Sequence, residues 1–250
     1  MALSRYRHRR AIWLAGCLSA SSLVITSGMA KDASAPLVIP ASRASLPVSL
    51  LLSGDMPAWT MPSAEIHLNR TPPLFETDPR DDGRRPVARV QLQVADSVLY
   101  VRLVWSDSTA DSVPAAKRYP DAGEAAIYKR QSELIDKFSD AACVMLPKQS
   151  NDAGPLPSLM MGDQTDQVWL YYWRNGRGFE RLEAAGRGTT TLNGVSFHGS
   201  ARYEKGQWVV VFEIPVSQSK NTPMAFAVWN GSQGQRDGLK YYSLWYEVAL

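Results

Sequence analysis

The sequence predicts a mainly β protein, an antiparallel β-sandwich with one or two short helices in its long connections. Three observations carry this. Short apolar or alternating runs recur from residue 47 to the C-terminus, separated by Gly, Pro, Asn and Asp turn signals. Two of these runs, ARVQLQVA and VLYVRLVW, alternate on either side of Asp96-Ser97, the pattern of a hairpin around a two-residue turn. Helical periodicity shows mainly in GEAAIYKRQSELIDKF, residues 123–138, where Ala126, Ile127, Leu134, Ile135 and Phe138 fall roughly on one face.

Residues 1–30 read as a signal peptide. RYRHRR is a basic n-region, AIWLAGCLSASSLVI an apolar h-region, and Gly28-Met29-Ala30 offers small residues for cleavage. Arg9-Arg10 suits a twin-arginine route and the basic start suits a Sec route, so the expected destination is the periplasm. Leu14-Ala15-Gly16-Cys17 also fits a lipoprotein box, and cleavage before Cys17 would leave a lipid anchor. Beyond the leader no segment approaches the ~20 apolar residues of a transmembrane span.

Residues 31–46, rich in Ala, Ser and Pro, read as a linker or N-terminal arm, and 47–250 as the sandwich domain. VSLLL is its first apolar run, read among the strand signals. After the hairpin, strands are expected at 141–146, 167–174, 195–204, 207–214, 223–229 and 242–249, with Lys205-Gly206 as a turn. The connections 70–86 and 107–140 are long for a compact domain, and such loops often carry function or a partner surface.

A chain of 250 residues with 45% apolar and 20% charged residues builds a real core under an ordinary soluble surface. Its net charge of +3 includes the leader's basic run, so no basic nucleic-acid surface is indicated. Beyond the leader one cysteine remains, Cys143, which excludes an intramolecular disulfide. Within DAACVMLP it reads as a buried small hydrophobe. There is no Cys-x-x-Cys-His for covalent haem, no cysteine cluster for an iron–sulfur centre, no phosphate loop and no nucleophile elbow. His67, in AEIHLNR, alternates with apolar neighbours like a strand residue. His198, in VSFHGS, sits on a strand face or near a turn, and nothing in the spacing of the two selects them as ligands.

Two segments carry donor chemistry. PSLMMGD places Met160 and Met161 before Gly162-Asp163, and a thioether is a soft ligand suited to haem iron. NGSQGQRDGLKYY places Lys240 after a Gly-rich lead-in, beside Tyr241, Tyr242 and Trp245. Lysine ligates a metal only as the neutral amine, and burial lowers its pKa toward that form. Chemistry alone leaves the other reading open, with Lys240 a solvated residue at a strand start and the methionines core filler.

These segments, in this order, resemble the haem-b-binding gamma subunits of the type II dimethyl sulfoxide reductase family. That family includes subunits of ethylbenzene dehydrogenase, dimethylsulfide dehydrogenase, chlorate reductase and selenate reductase. The resemblance runs from about Trp59 to Leu250 through DAACVMLP, PSLMMGD, VWLYYWR, GQWVVVFEIP and, most specifically, FAVWNGSQGQRDGLKYYSLW. It implies one non-covalent haem b with Met161 and Lys240 as axial ligands, Met161 being the methionine next to Gly-Asp. It further implies single-electron transfer in a periplasmic complex with a molybdopterin-containing catalytic subunit and an iron–sulfur subunit, with a periplasmic cytochrome c as carrier. This chain departs from the family pattern at Met145-Leu146 and at Gln235. Two other readings stand beside it. One is a secreted carbohydrate-binding module stacking Trp169, Trp173 or Trp229 on a sugar. The other is a structural subunit that has lost its cofactor.

Overall fold

The computed structural model describes residues 37–71, 85–112, 138–149, 154–216 and 221–250. These all lie within one compact unit, Pro36–Leu250. Its strands are β1 (Val38–Pro40), β2 (Ser42–Arg43), β3 (Ala64–His67), β4 (Asn69–Arg70), β5 (Val87–Ala95), β6 (Val98–Ser106), β7 (Ala141–Pro147) and β8 (Val168–Arg174). They continue with β9 (Gly178–Ala184), β10 (Thr191–Leu192), β11 (Gly199–Glu204), β12 (Gln207–Pro215), β13 (Thr222–Trp229), β14 (Tyr241–Tyr242) and β15 (Tyr246–Ala249).

Two sheets form. The first runs β1-β15-β13-β7-β8-β9-β10, with β14 bridging β13 and β4; the second runs β11-β12-β6-β5-β2, with β3 on β5. Pairing is antiparallel except at β1–β15 and β2–β5. The segment read as a linker or arm therefore adds a short parallel strand to each sheet. The hairpin expected at Asp96-Ser97 joins β5 to β6. At the β11–β12 turn Lys205 and Gly206 both take positive φ, 51° and 75°, the geometry that a right-twisted two-residue hairpin turn favours.

One apolar cluster fills the space between the sheets. Val90, Leu92, Leu103, Val210 and Phe212 come from the second sheet; Ala142, Val144, Tyr171, Trp173, Phe226 and Val228 come from the first. This is the two-layer arrangement of a sandwich.

One reading of the sequence is corrected. VSLLL is not a strand but lies in a single short helix, α1 (Val48–Ser53), which begins after Pro47 and ends on Gly54 at φ 69°. Proline ahead of a helix and glycine after it are its punctuation, and a run this short shows no period of its own. The helix expected at 123–138 lies outside the described residues apart from Phe138. Among the described residues no helix is long and apolar enough to cross a membrane, which says nothing of strands.

Candidate functional site

In β7, β8 and β13 both faces are apolar. Alternate residues turn away from the sandwich interior: Ala141, Cys143 and Met145 of β7, Leu170 and Tyr172 of β8, and Ala225, Ala227 and Trp229 of β13. With Leu182 and Ala184 of β9 they form a second buried cluster on the outer face of the first sheet. An antiparallel sheet commonly leaves one face to water, so an outer face this apolar needs a cover. Several of its side chains are small, which leaves a flat floor.

Two segments cover it. Leu159 and Met161 pack on the cluster from the loop between β7 and β8, and Tyr242 and Trp245 pack on it from the C-terminal segment. The covers are tied together, because Trp245 Nε1 donates to the Pro157 carbonyl at 2.9 Å.

The methionine loop is shaped by its Gly-Asp. Met161 stands at φ 73°, left-handed for a residue with a side chain, and Gly162 follows at φ 70°. A Cβ at Gly162 would run into the Asp166 carbonyl, so only glycine fits. Asp163 Oδ1 accepts the N–H groups of Thr165 and Asp166 at 2.8 and 2.9 Å. Met161 is pinned by its own carbonyl, which accepts the Gly186 N–H at 2.8 Å, and its Sδ takes a weak bond from Thr190 Oγ1 at 3.6 Å. Met160 is directed elsewhere: its Sδ meets Arg187 Nη2 at 3.3 Å, and it does not pack on the cluster.

Lys240 follows the turn Asp237-Gly238 and precedes β14. Its carbonyl accepts from both the N–H and the hydroxyl of Thr71, at 2.9 and 3.0 Å. The turn is held by Trp229 Nε1 donating to the Asp237 carbonyl at 3.1 Å. The side chain is only 5% exposed. Its Nζ lies 5.2 Å from the centroid of the Trp229 ring, and among the described residues no carboxylate or hydrogen-bond acceptor meets it. Burial pushes its pKa down and the Arg187 charge adds to that, while Cys143 acts in the other direction. Burial penalises the ammonium form and shifts the balance toward the neutral amine. A neutral amine has one lone pair to give.

The structure thus brings Met161 and Lys240 to the same apolar face and leaves Met160 off it. A thioether and a buried amine beside an apolar surface are a donor set that fits haem iron.

The comparisons with known proteins agree with this chemistry. No family model matches the chain. A protein of Haloferax mediterranei described as a respiratory nitrate reductase heme subunit is 29% identical over 82% of this chain and 72% of its own length. The dimethylsulfide dehydrogenase subunit gamma of Rhodovulum sulfidophilum is 30% identical over 74% of this chain and 69% of its own length. The chain belongs to the gamma-subunit family of the type II dimethyl sulfoxide reductase enzymes. The chlorate reductase subunit gamma of Ideonella dechloratans is 31% identical over 62% of each chain. Among solved structures, a glucose-bound carbohydrate-binding module of family 9 from Caldicellulosiruptor kristjanssonii superposes with a TM-score of 0.45 at 14% identity, over 84% of this chain and 94% of that one. That likeness is too distant to argue from.

The remaining candidate residues of this gamma-subunit relative fall elsewhere. His67 is an exposed end residue of β3, and His198 is exposed 4.0 Å from Glu213; neither belongs to the apolar clusters. Trp173 is buried between the sheets and Trp229 on the opposite face of the same sheet, so the two share no platform. Trp169 is flanked by Lys148 and Arg181, at 4.7 and 4.8 Å from its centroid. Cys143 is a buried free thiol, pushed up to about 12 by burial, as a small hydrophobe in an apolar floor would be. Sequence reasoning missed the floor itself. The signal was present, since AACVMLP, VWLYYWR and MAFAVW are near-continuous apolar runs where a half-exposed strand would alternate.

Proposed function

We propose that this chain is a periplasmic b-type cytochrome subunit that holds one haem b, without a covalent bond, between Met161 and Lys240. It passes single electrons between a molybdopterin-containing catalytic subunit with its iron–sulfur partner and an external carrier such as a periplasmic cytochrome c. The observation that carries the reading is the Lys240 amine, buried with no carboxylate beside it among the described residues, on the apolar face that also receives Met161. The names of the relatives support it: one is a heme subunit of a nitrate reductase, and two are gamma subunits of dimethylsulfide dehydrogenase and chlorate reductase.

Haem, when bound, supplies a reversible one-electron couple. The chain's part is binding and tuning. Burial lowers the Lys240 pKa, in the direction of the neutral amine whose lone pair iron would take. Met161, fixed by its carbonyl bond to Gly186, offers a thioether, which favours the reduced iron more than a second nitrogen would. Ala141, Ala225 and Ala227 give the floor its flatness, and Leu170, Tyr172 and Trp229 exclude water. Met161 and Lys240 would both hold the iron, which would supply one-electron transfer, and substrate chemistry would belong to the partner subunit. Residues 1–30 carry the chain across the inner membrane by the Sec or twin-arginine route, with anchoring at Cys17 as the alternative.

The visible spectrum of the purified protein is the test. A Soret band with split low-spin α and β bands on reduction, and a haem that acidified acetone extracts completely, are expected. A colourless protein, or a haem that stays attached through extraction, overturns the assignment.

A further inference from the structure

A polar cluster apart from Met161 and Lys240 gathers where the chain leaves the second sheet and enters the first. Asp107 follows β6 of the second sheet, Asp140 precedes β7 of the first, and Asp111 lies on the connection between them. One carboxylate oxygen from each falls within 4.8 Å of the others. Asp107 and Asp140 are buried, Asp107 to 5% exposure. Among the described residues no lysine, arginine or histidine pairs with any of the three.

The lone pairs can be counted. Asp140 Oδ2 is saturated by the Asp111 N–H at 2.7 Å and Trp208 Nε1 at 3.0 Å, while its Oδ1 takes only the Gly231 N–H at 2.8 Å. Asp111 Oδ2 accepts the Thr109 hydroxyl at 2.6 Å. Asp107 Oδ1 accepts the Thr109 N–H at 3.3 Å and Asn230 Nδ2 at 3.2 Å. Asp107 Oδ2 is wholly buried and has no partner. A buried carboxylate oxygen left bare costs about 1–3 kcal/mol or more, and native proteins rarely carry one without a reason. Burial, then Asp140, then Asp111 push Asp107 up to about 7; burial pushes Asp140 up to about 6 against its N–H donors. Among the described residues the cluster has no positive charge beside it.

We propose that Asp107, Asp111 and Asp140 bind a divalent cation of the calcium class, with the bare Asp107 Oδ2 as a ligand. The donors are all hard oxygens, with no histidine or cysteine in the group, which suits calcium rather than zinc or copper. Calcium sits about 2.3–2.6 Å from its oxygens, so one ion bridges a spread of this size. Water and main-chain carbonyls complete its shell.

The ion's place gives it a task. Asp140 and Asp107 hold the Gly231 N–H and the Asn230 side chain, next to Trp229, whose ring faces Lys240. Gly231 has no room for a Cβ, which would run into the Phe138 carbonyl and stand 2.8 Å from Asp111 Cβ. The cation would thereby fix the root of the Lys240 segment to both sheets. Binding is independent of the haem reading; only this coupling rests on it.

The test is calorimetric titration of the full chain as purified, whatever its haem content, after chelator treatment and dialysis. One saturable calcium site is expected, with magnesium weaker and a higher melting temperature when calcium is present. Asp107→Asn should weaken calcium binding at least about tenfold, since affinity follows ligand charge. Asp111→Asn, at a less buried position, carries the same expectation if Asp107→Asn does not fold, and Glu65→Gln on exposed β3 should leave binding unchanged. No saturable heat with calcium overturns the site and leaves Asp107 a protonated structural acid. Equal binding in Asp111→Asn and the unaltered chain, or magnesium binding as tightly as calcium, overturns it too.

Discussion

Both sheets carry an apolar patch on their outer faces, and the two patches are closed in opposite ways. On the second sheet Tyr100 and Val211 lie under α1 and the Met56–Ala58 turn, through Leu51, Ala58 and Trp59. The polar groups beneath that lid meet one another. Gln91 Nε2 donates to the Trp59 carbonyl at 2.9 Å and to the Met61 carbonyl. Gln93 Nε2 reaches the Ala58 carbonyl at 2.6 Å. Arg102 reaches the Gly54 carbonyl at 2.9 Å and Gln91 Oε1 at 2.7 Å, and Trp59 Nε1 reaches the Leu51 carbonyl at 3.1 Å. Even the buried Arg102 guanidinium, lowered to about 10 chiefly by burial, has acceptors. On the first sheet the covering segments bring a thioether and a buried amine with no acceptor among the described residues, over small side chains. A face closed by protein alone satisfies its polar atoms. A face whose basic group meets no acceptor among the described residues is the one that has a donor to offer a ligand.

The largest expected effect breaks the closed face. Trp59 is fully buried and seals the lid, so Trp59→Ala should cost about 3–5 kcal/mol in urea unfolding. The folded fraction should keep its visible spectrum unchanged, because the lid does not touch the other face. A shift in spin state in this variant would mean that the two faces are coupled through the core.

Next comes Lys240→Arg. The substitution keeps approximate length, but guanidinium stays protonated and has no lone pair for a metal. The variant should fold and be exported, lose its six-coordinate low-spin spectrum and retain haem weakly. Lys205, exposed at the β11–β12 turn, is the control and should accept arginine silently. If Lys240→Arg leaves haem content, spin state and potential unchanged, Lys240 is a structural residue and the contrast between the faces loses its chemical meaning.

The closed face and the open one were unequally legible in the sequence. The β5–β6 hairpin declared itself by alternation around Asp96-Ser97, and β7, β8, β12 and β13 by apolar runs. The lid did not, because six residues of helix show no period and the Pro47 and Gly54 punctuation was the only sign. β9 was missed because GFERLEA mixes charge with apolar residues, and only Leu182 and Ala184 of it are buried. β1 and β2 were missed because short parallel pairing to distant strands leaves no local trace. Met161 and Lys240 were singled out through family resemblance; their own chemistry reads more readily as core filler and a surface lysine. The acidic triad was illegible, because only the fold brings Asp140 beside Asp107.

Met161→Ala should have a smaller effect than the loss of the lysine ligand. Lys240 and the apolar floor would still hold haem, so content should fall modestly. An axial position left open or taken by water should move the spectrum toward high spin and lower the midpoint potential. An unaltered potential in this variant would place the second ligand elsewhere.

The smallest effect separates the two neighbouring methionines. Met160 has the same thioether one residue away, so chemistry cannot tell them apart and backbone geometry must. Consecutive left-handed residues at Met161 and Gly162, with Met161 anchored to Gly186, set which side chain packs on the floor. Met160 instead rests against the exposed Arg187 guanidinium, with its N–H on Ser158 Oγ at 3.2 Å. Met160→Ala therefore removes one weak contact near the surface and should change stability by no more than about 0.5–1 kcal/mol. Its Soret position, spin state and potential should match those of the unaltered protein, measured beside Met161→Ala under the same conditions. Should Met160→Ala give the high-spin shift and Met161→Ala not, the loop holds its other methionine over the floor. The left-handed turn at Met161 would then need another cause.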